Sequence, residues 1–292
     1  MDFRSRKAPS PQTYRVLAAT GGSLVVCLVT PAAVYLAADS RYAHAPPRLR
    51  DSARKVIPCG PTSLCGLSGF LRFTRTECAG DGNHPGCEST FELSDVVERL
   101  RFENAGGDEP ELANSFARRL HQELAPIWER FAADLDELPF GGHGRQGKLS
   151  QLMYVSREAS SRAFLATIDL THSLRPSESG RFSSVLEEPV IRRLFFGPAA
   201  HPRLYVRGAR RCVRPEPRFD SVEGDAEALR IIDEVFAHAR HPGRCAAAIG
   251  GPVDVAVIDP SGRRWLKHKT QTQEHRAPEP VQGYALSNVV LG

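Results

Sequence analysis

From Val16 to Ala38 the chain reads VLAATGGSLVVCLVTPAAVYLAA without a single charged residue. No other feature restricts the possible folds so strongly. About 20 consecutive apolar residues suffice to cross the hydrocarbon core of a bilayer. A helix is the one single-segment structure that satisfies its own backbone there. The run therefore predicts an N-terminal transmembrane helix over residues 16–38. Gly21, Gly22 and Pro31 are tolerated in such a helix, and Tyr14 and Tyr35 lie where aromatic rings favour the headgroup zone.

Arg4, Arg6, Lys7 and Arg15 precede the run, against one acid, Asp2. The positive-inside tendency then makes residues 1–15 a cytoplasmic stub and puts the bulk of the chain outside the cytoplasm, in a periplasmic or extracellular space. The competing reading is a cleaved signal peptide, which needs small residues at A-x-A spacing. Ala43-His44-Ala45 has that spacing, but Pro46 follows directly, so a retained signal-anchor is favoured. A buried helix or an organelle-targeting segment is the remaining option.

Cys27 falls inside the run, and Cys59, Cys65, Cys78, Cys87, Cys212 and Cys245 follow it. An even number beyond a membrane segment suits disulfide pairing in an oxidising compartment. The economical arrangement staples the four early cysteines together and joins Cys212 to Cys245. Structural zinc sites favour two to four residues between paired ligands, and the gaps here are wider, so no metal is expected. The net charge of +4 lacks the dense basic stripe of an obligate nucleic-acid binder, despite local clusters at 207–211 and 263–269.

Residues 39–58 read as a tether rich in Ala, Pro and Arg, and 59–90 as a cysteine-rich loop region. An α+β domain is expected over 91–270. Ser94 can cap a short helix to about Glu103, with Val96, Val97 and Leu100 inward. A stronger amphipathic helix starts at Asp108 and carries Leu112, Phe116, Leu120, Leu124, Ile127, Trp128, Phe131, Leu135 and Leu138 on one face. Pro126 should kink or divide it. Strands are expected at 153–156, 162–170 and 204–207, a short helix at 185–196, and a helix from Asp225 to about Arg240. Val253 to Ile258, the turn Asp259-Pro260-Ser261-Gly262 and Arg264 to His268 read as a hairpin. Hairpin spacing favours a mostly antiparallel sheet with flanking helices. Residues 271–292 form a polar tail with a possible last strand.

Gly142 to Lys148, GHGRQGK, fits a phosphate-loop spacing, but Leu149 stands where Ser or Thr must hold magnesium. The stretch reads better as a glycine-rich connection whose His143, Arg145 and Lys148 line an anion pocket. Asp134 with Glu137, and His238 with His241, share helix faces at a spacing that also describes solvated helix ends. Neither H-E-x-x-H nor G-x-S-x-G occurs, and no cofactor is expected.

The hairpin VDVAVIDPSGRRWLKH (Val253 to His268) resembles the strand–turn–strand of PAS-like extracytoplasmic sensor domains of the Cache type, and SREASSRAFLATIDL (Ser156 to Leu170) is similar in flavour. The resemblance implies a pocket over the sheet, lined by the Arg162–Leu170 strand and residues 141–148, with Arg162 or Arg145 facing a small anionic ligand. The expected function is thus a membrane-anchored ligand- or partner-binding, sensor-like domain. The alternatives are an envelope hydrolase, with Asp134, Glu137, His143 and Asp169 converging in one cleft, or an assembly subunit of a membrane complex.

Overall fold

The computed structural model describes residues 13–21, 23–44, 48–51, 53–78, 88–100, 109–132, 146–158, 161–176, 182–208, 213, 219–240 and 249–269. Within them the fold is α+β, and every strand pairing is antiparallel.

The apolar run is not one helix. It contributes to three strands: β1 (Thr13–Gly21), β2 (Leu24–Val29) and β3 (Val34–Asp39). Thr30 closes the β2–β3 hairpin by bonding Ala33 through both its backbone amide (2.8 Å) and its hydroxyl (2.9 Å), with Pro31 at the corner. The side chains of β2 and β3 alternate between two cores. Leu24, Val26, Leu28, Tyr35 and Ala37 face one, and Val25, Cys27, Val29, Val34, Leu36 and Ala38 face the other. A strand buried on both faces needs no polar residues and reads as a continuous apolar run. Among the described residues, no helix is long and apolar enough to cross a membrane.

The expected tether carries β4 (Tyr42–His44), β5 (Arg48–Arg50) and most of β6 (Val56–Gly60). The expected cysteine-rich loop carries the long β7 (Ser63–Cys78) and β8 (Glu88–Glu92). Next come α1 (Leu93–Arg99) and α2 (Glu109–Ala132), which continues through Pro126 as one helix. Then follow β9 (Gln146–Arg157), β10 (Arg162–Pro176), β11 (Phe182–Leu186), β12 (Val190–Pro198) and β13 (Arg203–Gly208). The last elements are α3 (Gly224–Ala239), β14 (Val253–Asp259) and β15 (Gly262–Lys267). The short helix expected at 185–196 is instead parts of β11 and β12, both paired with β10.

The strands form two sheets. One runs β11-β10-β9-β7-β1-β4-β5, with β12, β6 and β8 attached; the other runs β13-β2-β3-β14-β15. Between them lie Val25, Cys27 and Leu36 against Leu64, Met153, Val155 and Leu165. Helices α1 and α2 cover the outer face of the larger sheet through Val97, Phe116, Leu120 and Trp128. Helix α3 covers the smaller sheet through Ile231, Ile232, Val235 and Phe236. The result is four layers, helices outside and two sheets inside, the layered burial that amphipathic helices and two-faced strands require.

Candidate active site

The end of β3 carries a carboxylate into this core. Asp39 is 1% exposed. Its Oδ1 accepts bonds from the Leu24 amide (2.9 Å) and from Lys55 Nζ (3.1 Å), and its Oδ2 accepts from the amides of Arg41 and Gly250 (both 3.2 Å). Four donors on one carboxylate fix its position and offset the cost of burying it. Lys55, just ahead of β6, is also 1% exposed. It donates a second bond to the Arg41 carbonyl, and its own carbonyl accepts from the Leu67 amide of β7 at 2.7 Å. Burial lowers its pKa from the ordinary lysine value, while Asp39 pulls it back up. The pair is thus a fixed amine whose proton is held less firmly than that of a solvated lysine.

Ser23 stands at this point, where the chain enters β2. It is 1% exposed, and its Oγ is buried with no hydrogen-bond partner. Leu24, the next residue, bonds the same Asp39 oxygen as Lys55 does. Bonds of 2.9 and 3.1 Å to one atom keep the Leu24 nitrogen within about 6 Å of Lys55 Nζ. Gly208, at the end of β13 opposite Leu24, has φ +79°, and a Cβ there would collide with the Ser23 carbonyl oxygen. A side chain at 208 would therefore displace Ser23. On the other side β1 runs along β7, with Gly21 opposite Gly69.

An outer ring of charge encloses the pair. Arg41 makes a two-pronged bond to Asp51 (2.8 and 3.1 Å). Gly250 packs against that guanidinium so closely that a Cβ would collide with it, and Gly251, at φ +69°, leaves room for Ser40 and Asp51. Arg240, after α3, donates to the Gly251 carbonyl at 2.5 Å, and burial lowers its pKa. Lys269 follows β15. It donates to the Ala53 carbonyl and lies 3.8 Å from Asp254, and burial brings its pKa down to about 8.

Among the residues singled out in the sequence, Lys148, Arg162 and Asp169 lie in β9 and β10. Lys148 is half-exposed, 3.2 Å from Asp169, which also accepts from Gln151 at 2.6 Å. Arg162 lies over the Phe196 ring at 4.2 Å. Lys148 pairs with Thr171, nine residues along β10 from Arg162 and so about 30 Å away; the two share no pocket. His143, Arg145, Asp134, Glu137 and His241 lie outside the described residues. Cys59 and Cys65 are free, fully buried thiols in the core under α1 and α2, so the expected staple is not formed at either. The side chains of Cys78, Cys87, Cys212 and Cys245 lie outside the described ones. Among the described residues, no group of histidines, cysteines and carboxylates is arranged to hold a metal. The apolar cleft under α2, lined by Phe91, Leu124, Trp128, Leu149, Leu170 and Leu186, has a volume of about 30 Å³, the space of one water.

Ser23, Asp39 and Lys55 were not singled out in the sequence. Their signals are faint but real: a serine at the Gly-Gly break in the run, an aspartate at the run's end, and a lysine ahead of an apolar strand. No family model matches the chain, and no curated protein matches it.

Proposed function

We propose that the protein is an acyl-transfer enzyme acting on amide bonds, with Ser23 as nucleophile, Lys55 as general base and Asp39 as the group that orients Lys55. The observation that carries this reading is the buried, unpartnered Ser23 Oγ one residue ahead of the Leu24 amide, which shares an Asp39 oxygen with the buried Lys55. A serine hydroxyl is a weak nucleophile until a neighbouring base takes its proton, and lysine fills that role in serine–lysine sites. Lys55 suits it because burial disfavours its charged form.

In the proposed reaction Lys55 Nζ removes the Oγ proton as Oγ attacks the carbonyl carbon, and the C=O electron pair moves onto oxygen. Collapse of that intermediate breaks the C–N bond, and the leaving amine takes the proton from Lys55. Water then hydrolyses the ester and restores Ser23. In the sequence Ser23 is joined to Gly22, and β1 (Thr13–Gly21) lies beside β7. Attack on the Gly22 carbonyl would shift that acyl group from nitrogen to oxygen, and hydrolysis would release the segment ahead of Ser23. Ser23 would then carry a free α-amine, with an ordinary pKa of about 8, as a second base next to its own hydroxyl.

This reading draws on the fixed polar groups that meet at Asp39. Intact-mass measurement of the full chain tests it, together with labelling by a fluorophosphonate. Expected are a break between Gly22 and Ser23 and a single adduct on Ser23, both abolished in Ser23→Ala. That substitution removes a hydroxyl without a partner, so it leaves the fold intact. Cleavage and labelling of Ser23→Ala at the wild-type level would refute the assignment.

A further inference from the structure

We propose that Lys269 is a positioning residue for the Ser23–Lys55 pair, its ammonium set on the segment that leads into Lys55, where it opposes the proton on that amine. The inference rests on the reading of Ser23 as nucleophile. Its basis is where the chain goes after β15. His268 Nδ1 lies 3.3 Å from Asp254 Oδ1, and the ring stacks on Trp265 at 4.1 Å. The Lys269 amide donates to Asp254 at 2.8 Å. These contacts turn the strand end inward, and the Lys269 side chain, 9% exposed, reaches the Ala53 carbonyl, two residues ahead of Lys55. Two buried ammonium groups then act on one another across the same short segment.

The surrounding charges decide what this does. Lys55 faces Asp39 from β3, and Arg41 and Asp51 from the connection that follows. Arg54, beside it, is occupied by Asp95 and Glu98 of α1. Arg240 comes from the end of α3, Asp254 from β14 and His268 from after β15. Asp39, Asp51 and Asp254 are thus set against Arg41, Lys55, Arg240 and Lys269, and Asp254 is shared with His268. In the Lys55–Asp39 pair burial disfavours the lysine's proton and Asp39 favours it. A second cation nearby disfavours that proton, and the repulsion is mutual. Lys269 is itself charged only below about pH 8, so the effect is confined to that range.

The test is the rate of Ser23 labelling by a fluorophosphonate as a function of pH, on the full chain, for wild type, Lys269→Met, Lys269→Gln and Lys269→Arg. Removal of the charge should move the acid limb of the profile up by about half a pH unit or more. The profiles should converge above about pH 8, where Lys269 is neutral. Lys269→Arg should leave the limb where it is, which a purely structural role for the side chain does not predict. The glutamine variant retains a donor for the Ala53 carbonyl, so it provides the comparison if the methionine variant folds poorly. Ser23 labelling with superimposable profiles for Lys269→Gln and wild type overturns the inference and leaves the nucleophile standing. Absence of Ser23 labelling in the wild type overturns both.

Discussion

Asp39→Ala should be among the most damaging single substitutions in this fold, and its cost can be bounded from the contacts. The side chain serves four donors: Lys55 Nζ and the amides of Leu24, Arg41 and Gly250. Its loss leaves a buried ammonium without a counter-charge, a change that typically costs about 3–5 kcal/mol. Lys55 can limit that cost by releasing its proton. From an ordinary lysine pKa near 10.4, discharge at pH 7 costs about 1.4 kcal/mol per pH unit, or about 4.6 kcal/mol at most. The three amides add about 1 kcal/mol each if water enters to meet part of their need. The total is about 6–8 kcal/mol, comparable with the whole stability of many domains. Denaturant unfolding with linear extrapolation measures it. The sign of the pH dependence is a second check. A neutral Lys55 needs no counter-charge, so the deficit should shrink as pH rises towards about 10. Asp39→Asn with Lys55→Met removes both charges and should be more stable than Asp39→Ala. An Asp39→Ala deficit below about 1 kcal/mol, or one that grows with pH, would refute this account of the pair.

Two further outcomes follow from the same region. Gly208→Ala combines an unfavourable positive φ with a Cβ aimed at the Ser23 carbonyl. It should cost about 1–3 kcal/mol and lower fluorophosphonate labelling of Ser23 by about 100-fold; labelling within twofold of wild type would show that Gly208 does not set the position of Ser23. Lys269 releases its proton near pH 8 in the folded chain and near 10.5 when solvated. Between those values the unfolded chain binds the extra proton, so stability should rise with pH by about 3 kcal/mol across the window. Lys269→Met should flatten that rise in denaturation measured from pH 7 to 10.5, and an unchanged slope would mean that the lysine is more solvated than its contacts imply.

What could be read from the sequence depended on whether one face or two faces of an element are buried. Helix α3 and the β14–β15 hairpin each present polar residues to solvent, so their periodicity and turn residues are visible, and both lie close to where the spacing puts them. Helix α2 is marked by Phe116, Leu120, Leu124 and Trp128 for the same reason. Strands β2 and β3 have no solvent face. Their alternation between two cores leaves no trace in a hydropathy pattern, and three short apolar strands in succession imitate one membrane span. The breaks at Gly21-Gly22 and Thr30-Pro31 were the available evidence for strands, and a membrane helix tolerates the same residues. Residues 185–196 failed differently: β11 and β12 are fixed by pairing with β10, a long-range contact that local spacing does not encode.

The candidate site was hidden by the same burial. A search for chemistry in a sequence favours histidines and carboxylates in polar loops, which is how Asp134, His143 and Lys148 came forward. Here the polar groups that converge are joined by sheet register. Antiparallel pairing sets the start of β2 beside the end of β3, which brings Leu24, next to Ser23, against Asp39, and the bond from the Leu67 amide to the Lys55 carbonyl ties Lys55 to β7. None of the three residues belongs to a local motif, because the fold and not the local spacing sets their separation. The charged ends of the strands nevertheless had a legible cost. Asp39 and Lys55 flank apolar segments that could have placed any small residue there, and a buried ion pair is often no more stabilising than an apolar replacement. A chain that keeps such a pair, with four bonds on the aspartate, holds these groups in a fixed arrangement, which the proposed reaction uses as nucleophile and base. The role of that arrangement is what the Asp39→Asn and Lys55→Met pair measures. A double variant as stable as wild type that no longer cleaves ahead of Ser23 would assign the charges to catalysis; one that unfolds would assign them to the fold.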